Sequence, residues 1–489
     1  MKSEDDEAKV QLAGGGSYTI TLPKWWCTKN KIWPGEKLSR YSTRNSVVIS
    51  RKLKDKNRNI NIFLDTLEYP DEKAYLQQIL IASYIAGFGT ITLLTEKEKT
   101  DEKYINGARW LDKRAQGAIH FVRESNKKTV ISIKTDQEKL QPTLMSMYQD
   151  INFMIEEIKN EFQSQNVEGQ INEIEEYDNS LDKTQWLIHR LTSQILTNSN
   201  VVQTTETAPS LMIQSYQVAR LLEKVGDDIV SISKELKTFR KKCADSHISF
   251  STTESLTTAL LDKAKNLLKG GIDAYIMILP DEELVKKYRD DLSSIQLNQF
   301  DAKQIDEIHT EAVKWMKRDS ILESELASDR KKYYETVDSQ FFTFIEKAKT
   351  TATKKIEEAE QTAKSHDINI ERIKKPKSIN NEINENIRKY WKATEDANRY
   401  LIKKIYKGQK DRIEKIAIGK AHMVVADLID LNQDCNILIE KMLLEIQKGD
   451  VVVPLITVAD CIRQIGIVSK DISMITINSI FKNEMEMNI

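Results

Sequence analysis

Val218-Ala219-Arg220-Leu221-Leu222-Glu223-Lys224-Val225-Gly226-Asp227-Asp228 is the stretch whose reading decides the fold of this chain. Its apolar residues Val218, Leu221, Leu222 and Val225 continue through Ile229 and Ile232. They step by three and four, the period of an amphipathic helix. The stretch therefore predicts a helix over about 209–240. Two further stripes precede it. Met147, Ile151, Met154, Ile155, Ile158 and Phe162 mark one helix from Leu140 onward; Ile174, Leu181, Leu187, Ile188, Leu191 and Ile195 mark another over about 169–198. Three such helices joined by short polar links bury their stripes against one another, which predicts a three-helix bundle over 140–243.

The pattern returns downstream. Val458-Ala459-Asp460-Cys461-Ile462-Arg463-Gln464-Ile465-Gly466 repeats the Val, Ala, Gly and apolar positions of Val218–Gly226. Asp430/Asp434 repeats Asp178/Asp182 at a different offset, as a changed loop length would produce. Helices near 383–410, 416–447 and 453–480 are expected to form a second, degenerate bundle over 383–480. Between the two, 252–375 reads as a helical insertion. A helix over Leu256–Leu268 ends at Gly270-Gly271. A longer one over about 303–365 carries Ile308, Ala312, Trp315, Leu322, Leu326, Tyr333, Val337 and Phe341 at coiled-coil-like steps. Lys374-Lys375-Pro376-Lys377 breaks it.

Upstream of the bundles the text changes. Residues 56–134 read as a small α/β unit, with strands at Asn59–Leu64, Thr90–Leu94, Ile119–Val122 and Thr129–Ile133 and helices over Glu72–Ala86 and Tyr104–Ala115. Residues 8–52 form a β head. Tyr18-Thr19-Ile20-Thr21-Leu22 alternates as a strand and Pro23 ends it. Lys24–Lys29 makes one or two helical turns, Pro34-Gly35 marks a turn, and Lys37–Ser42 with Ser46–Ser50 read as a hairpin around Arg44-Asn45. This head holds nine basic residues and one acid, Glu36, inside a chain of net charge −1. Lys9, Lys24, Lys29, Lys31, Arg40, Arg44 and Arg51 are its candidates for contacting nucleic-acid phosphates.

Composition excludes several classes. Only 16 Gly and 8 Pro in 489 residues, with 30% charged residues, rule out collagenous and Pro-rich chains and fit long amphipathic helices. Cys27, Cys243, Cys435 and Cys461 lie far apart, without a CxxC zinc or disulfide framework, and predict a reducing, cytoplasmic setting. The acidic start is unlike a signal peptide, and no uninterrupted apolar run of membrane-spanning length is read; Ile79–Ile85 is the most apolar stretch. The His residues are isolated, and no Walker A loop, G-x-S-x-G or H-E-x-x-H occurs, so the chain is not read as an enzyme.

The remaining chemistry is acidic. Asp178/Asp182 and Glu223/Asp227 are each four apart on a helix, so each pair shares a face beside the apolar stripe. Facing pairs would repel, and a divalent or trivalent metal ion (iron, zinc, manganese or magnesium) would relieve that repulsion. The plain alternative is a solvated helix face.

Two resemblances emerge from these residues. Gly15-Gly16-Ser17-Tyr18-Thr19-Ile20-Thr21-Leu22-Pro23-Lys24-Trp25 with Ile32-Trp33-Pro34-Gly35-Glu36 resembles the AbrB/SpoVT swapped-hairpin domain. That resemblance implies a homodimer whose interleaved hairpins present basic residues to DNA. Ala219–Asp228 resembles the signature helix of PhoU, a regulator of phosphate transport. It places the family's metal-binding pairs on Asp178/Asp182 and Glu223/Asp227. Arg463 and Ile467 stand at the corresponding places of the second bundle, where a cationic side chain disfavours a metal. The whole resembles archaeal phosphate-uptake regulators. The expected chain is mainly α: PhoU-like three-helix bundles, an N-terminal swapped-hairpin β domain and a short α/β linker. Its expected role is regulation of phosphate uptake, with DNA and a phosphate transporter or sensor as partners. The alternative is a helical adaptor that dimerises through its head without binding DNA. A carboxylate-bridged metalloenzyme is the third reading.

Overall fold

The computed structural model describes residues 9–13, 17–42, 47–51, 59–66, 72–98, 102–134, 139–163, 168–197, 209–248, 251–279, 328–365, 385–446 and 449–488, with positions 290, 306, 308–310, 312 and 313. The chain is mainly helical and folds as two compact units. One holds residues 1–150, 175–223 and 483–489; the other holds 151–174 and 224–482.

The first unit opens with β1 (Gln11–Ala13) paired antiparallel to β2 (Ser17–Thr19). Strand β2 is shorter than the alternation predicts and stops well before Pro23. Helix α1 (Lys24–Lys29) follows. Its end is a Schellman-type turn: Ile32 N–H donates to Cys27 O at 2.9 Å, and Lys31 takes the left-handed conformation at φ 52°. Pro34-Gly35 then turns the chain, with Gly35 at φ 90° and Glu36 N–H donating to Trp33 O at 3.0 Å. Strands β3 (Leu38–Ser42) and β4 (Val47–Arg51) form the expected hairpin; its Arg44-Asn45 tip lies outside the described residues, as do Gly14–Gly16.

The α/β unit lies where period two and period 3.6 put it. Its strands are β5 (Asn59–Phe63), β6 (Thr90–Leu94), β7 (Ala118–Ser125) and β8 (Lys128–Lys134). The sheet order is β5-β6-β8-β7, with β5 parallel to β6 and the other pairs antiparallel. Helices α2 (Glu72–Ile85) and α3 (Glu102–Arg114) bring Leu76, Leu80, Tyr84 and Leu111 to a core shared with Ile91, Leu93 and Ile131. Burial of such side chains stabilises by roughly 1.5–3 kcal/mol each.

Then come α4 (Leu140–Gln163), α5 (Glu168–Thr197) and α6 (Pro209–Ser246), each within a few residues of its sequence-based range. The stripe residues Ile151, Leu181, Ile188, Val218, Leu222 and Val225 are all buried. Pro142 and Pro209 sit in first turns, where the missing N–H has no helical partner to lose.

In the second unit α7 (Ser251–Met277) runs straight through Gly270-Gly271, where the sequence predicted its end. Tertiary packing outweighs the helix cost of glycine, about 1 kcal/mol each. A Cβ on Gly271 would lie 2.8 Å from the Ser469 carbonyl oxygen, so the position requires a residue without one. Helix α8 (Ser328–Lys364) is one part of the range expected as a single helix over 303–365. That range is not one continuous helix: the helical residues around 306–313 pack back beside α8, with Asp306 Oδ1 2.9 Å from Lys349 Nζ and Ala312 in one core with Phe341 and Ile345, whereas residues about 40 apart on one straight helix would lie about 60 Å apart. Trp315, Leu322 and Leu326 lie outside the described residues. Helix α9 is one continuous element, Glu385–Ile446, in place of the two helices expected. The segment 410–416 contains neither Pro nor Gly, and Arg412, Glu414 and Ile416 are buried there.

Helices α8 and α9 pack antiparallel in one register. Phe344 fills the gap at Gly408 and Tyr333 the gap at Gly419, each pair eleven residues from the next on its own helix. Arg412 donates to Asp338 Oδ1 at 2.6 Å between them. Helix α10 (Gly449–Asn488) contains Pro454, which cannot donate to Asp450 O; Lys242 Nζ donates to that carbonyl at 2.6 Å instead. The portion Gly449–Phe481 is long and apolar enough by length and composition to cross a membrane, although charged residues interrupt it. In the structure 61% of the window is buried, and Ser469, Ser473 and Thr476 bond back to carbonyls one turn earlier.

Candidate functional site

Helix α5 presents a ridge of residues four apart to the α/β unit. Asp182 Oδ2 pairs with Arg114 Nη1 of α3 at 3.2 Å. Trp186 meets Trp110, ring centroids 6.2 Å apart and planes tilted by 51°. Arg190 reaches the end of α2. Gln194 lies over Gly87, whose added Cβ would come within 2.8 Å of Gln194 Cγ. An i, i+4 ridge of this kind is what a helix inserts into a neighbouring groove.

Arg190 is the deepest charge in the ridge, only 2% exposed. Its Nη1 donates to Tyr84 O at 2.5 Å and to Phe88 O at 3.1 Å. Its guanidinium carbon lies 4.9 Å from the centre of the Tyr84 ring, while Nε is buried without a partner. Burial lowers its pKa, and Tyr84 opposes the shift. The carbonyls it donates to close α2. Phe88 N–H donates to Ser83 O at 3.2 Å and Gly87 N–H to Tyr84 O at 3.0 Å, with Gly87 at φ 86°. That left-handed position favours glycine. The negative end of the α2 dipole thus faces a buried cation. Tyr84 Oη and Thr184 Oγ1 add contacts to Gln116, at 2.8 and 3.5 Å.

The sequence reading named Asp182 but missed Arg114, Trp186, Arg190 and Gln194. For Trp186, Arg190 and Gln194 the signal was the spacing of four from Asp182 beside the apolar stripe; Arg114, on α3, carried none.

The predicted carboxylates fall as follows. Asp178 and Asp182 are half-buried on α5, and Asp182 is drawn to Arg114. On α6 Glu223 is half-buried and Asp227 exposed. Among the described residues no group of three or more His, Cys, Asp or Glu is arranged to hold a metal ion. The adjacent Asp228 carries more strain: its Oδ2 is buried without a hydrogen-bond partner. Burial, opposed by Lys224 and assisted by Asp227, pushes its pKa up to about 6.

In the head, Lys9, Lys24, Lys29, Lys31 and Arg40 are exposed. Arg51 ends β4, and Arg44 lies outside the described residues. The same segment exposes large apolar groups, including Leu12, Tyr18, Trp25 and Trp33, and α1 has no buried residue.

Residues 144–236 match the PhoU domain. They take in most of α4, all of α5 and most of α6, and therefore the whole ridge on α5. The match covers less than half of the chain and identifies a domain within it. No curated protein and no solved structure matches the chain.

Proposed function

We propose that this chain is a non-enzymatic, cytoplasmic regulator of phosphate uptake that binds DNA through an N-terminal head closed by a second copy of itself. The PhoU domain at 144–236 is the observation that carries the phosphate reading. The head supports the rest. Exposed Lys9, Lys24, Lys29, Lys31 and Arg40 supply charges for phosphate contacts, and the exposed Leu12, Tyr18, Trp25 and Trp33 supply apolar area for a partner copy.

DNA retention at low salt, followed through a salt titration, tests the DNA arm. Affinity should fall steeply with salt, and Lys24→Ala and Arg40→Ala should each weaken binding and flatten the slope. A confirmed dimer that retains no DNA would favour the second reading, an adaptor that docks on a transporter or sensor. Exposed Leu443, Leu444 and Val453 in the second unit favour that reading by offering an apolar surface.

A further inference from the structure

We infer that Asp182 on α5 belongs to an intramolecular docking face, with Arg114 taking the place of a metal ion, and that the PhoU domain of this chain holds its shape without metal. A hard divalent ion needs several oxygen ligands converging at 2.0–2.6 Å. Here Asp182 already accepts from the Arg114 guanidinium, 3.2 Å away. No third ligand joins it among the described residues. Asp182 is also one member of a continuous row, followed by Trp186 on Trp110, Arg190 on the α2 carbonyls and Gln194 over Gly87. A metal cluster would have to pull the first member out of that row. The row explains the carboxylate without further parts: it meets a cation at one end of a face that continues through an aromatic contact and a buried arginine to Gln194 over Gly87.

The second unit repeats the substitution independently. Arg463, at the place corresponding to Glu223, donates to Asp460 and Asn436. Lys263 of α7 pairs with Asp434, the counterpart of Asp182. In both halves a basic side chain of the protein neutralises the acid at the corresponding position.

The inference rests on the α5 face and stands or falls separately from the phosphate reading. The test uses the full chain. Metal content is measured by mass spectrometry after purification, and melting is compared in chelator and in manganese, ferrous iron, zinc and magnesium. Well below one metal per chain is expected, with equal melting temperatures in all buffers for wild type and for Asp182→Asn. Arg114→Gln should raise amide hydrogen exchange locally, over 108–116 and 180–186, by up to about five-fold, and added salt should produce the same loosening in wild type. Stoichiometric metal, or a metal-dependent rise in melting that Asp182→Asn abolishes, would overturn the inference. So would Arg114→Gln exchange identical to wild type at low salt.

Discussion

Replacing Arg190 by methionine should detach α5 from the end of α2. The substitution keeps an unbranched apolar stem of similar length and deletes the guanidinium. Two hydrogen bonds from a charged donor disappear, to Tyr84 O and Phe88 O. Bonds of that kind contribute about 1.5–3 kcal/mol each. Part of this is offset, because a buried cation with an unpartnered Nε is itself costly. The net loss should be about 2–4 kcal/mol. Tyr84 O keeps the Gly87 N–H, so the damage should concentrate at the α2 terminus. Hydrogen exchange of the Ala86, Gly87 and Phe88 amides is the local readout. A loss of about 2 kcal/mol corresponds to roughly 30-fold faster exchange there when exchange follows local opening. Arg190→Lys should fall between the two, since an ammonium keeps the charge but cannot hold the planar fork. Exchange at these amides within two-fold of wild type in Arg190→Met would refute the capping argument.

Other consequences follow from single residues. Asp228, with a folded pKa of about 6 against an ordinary 3.8, holds its proton more tightly folded than unfolded. Its contribution to stability is therefore full below pH 3.8 and lost as pH rises through 6; Asp228→Asn should flatten that part of the melting-temperature profile and raise melting at pH 7. Gly408→Ala should lower denaturation free energy by about 1 kcal/mol despite its better helix propensity, because the new Cβ would lie 2.8 Å from Phe344 Cδ1. Removing residues 1–52 should leave a monomer by light scattering, and a truncated chain that stays dimeric would move the contact to the helices.

The helices of the PhoU domain were legible because one face of each is apolar at a strict period. Leu181, Ile188, Val218 and Leu222 alone nearly place them. The sheet was legible for a related reason: alternation in Lys128–Lys134 matches alternating burial, while the apolar run Thr90–Leu94 is a strand buried through its middle. The errors arose where tertiary contact overrides local propensity. Gly270-Gly271 looks like a helix end until the Ser469 backbone is placed against it. Helix α9 looks divisible at Lys410–Lys415 until Asp338 is placed beside Arg412. The α5 ridge was half legible. Spacing identified Asp178 and Asp182 as sharing a face, yet their partner was a matter of distance in space, and Arg114 lies 68 residues away in sequence.

The phosphate reading is tested most directly by phosphate uptake in cells of the source organism, with and without this chain. The account predicts that cells lacking it no longer reduce uptake when phosphate is replete, and that the full chain restores the response. Uptake that responds identically to phosphate supply in both strains would contradict it.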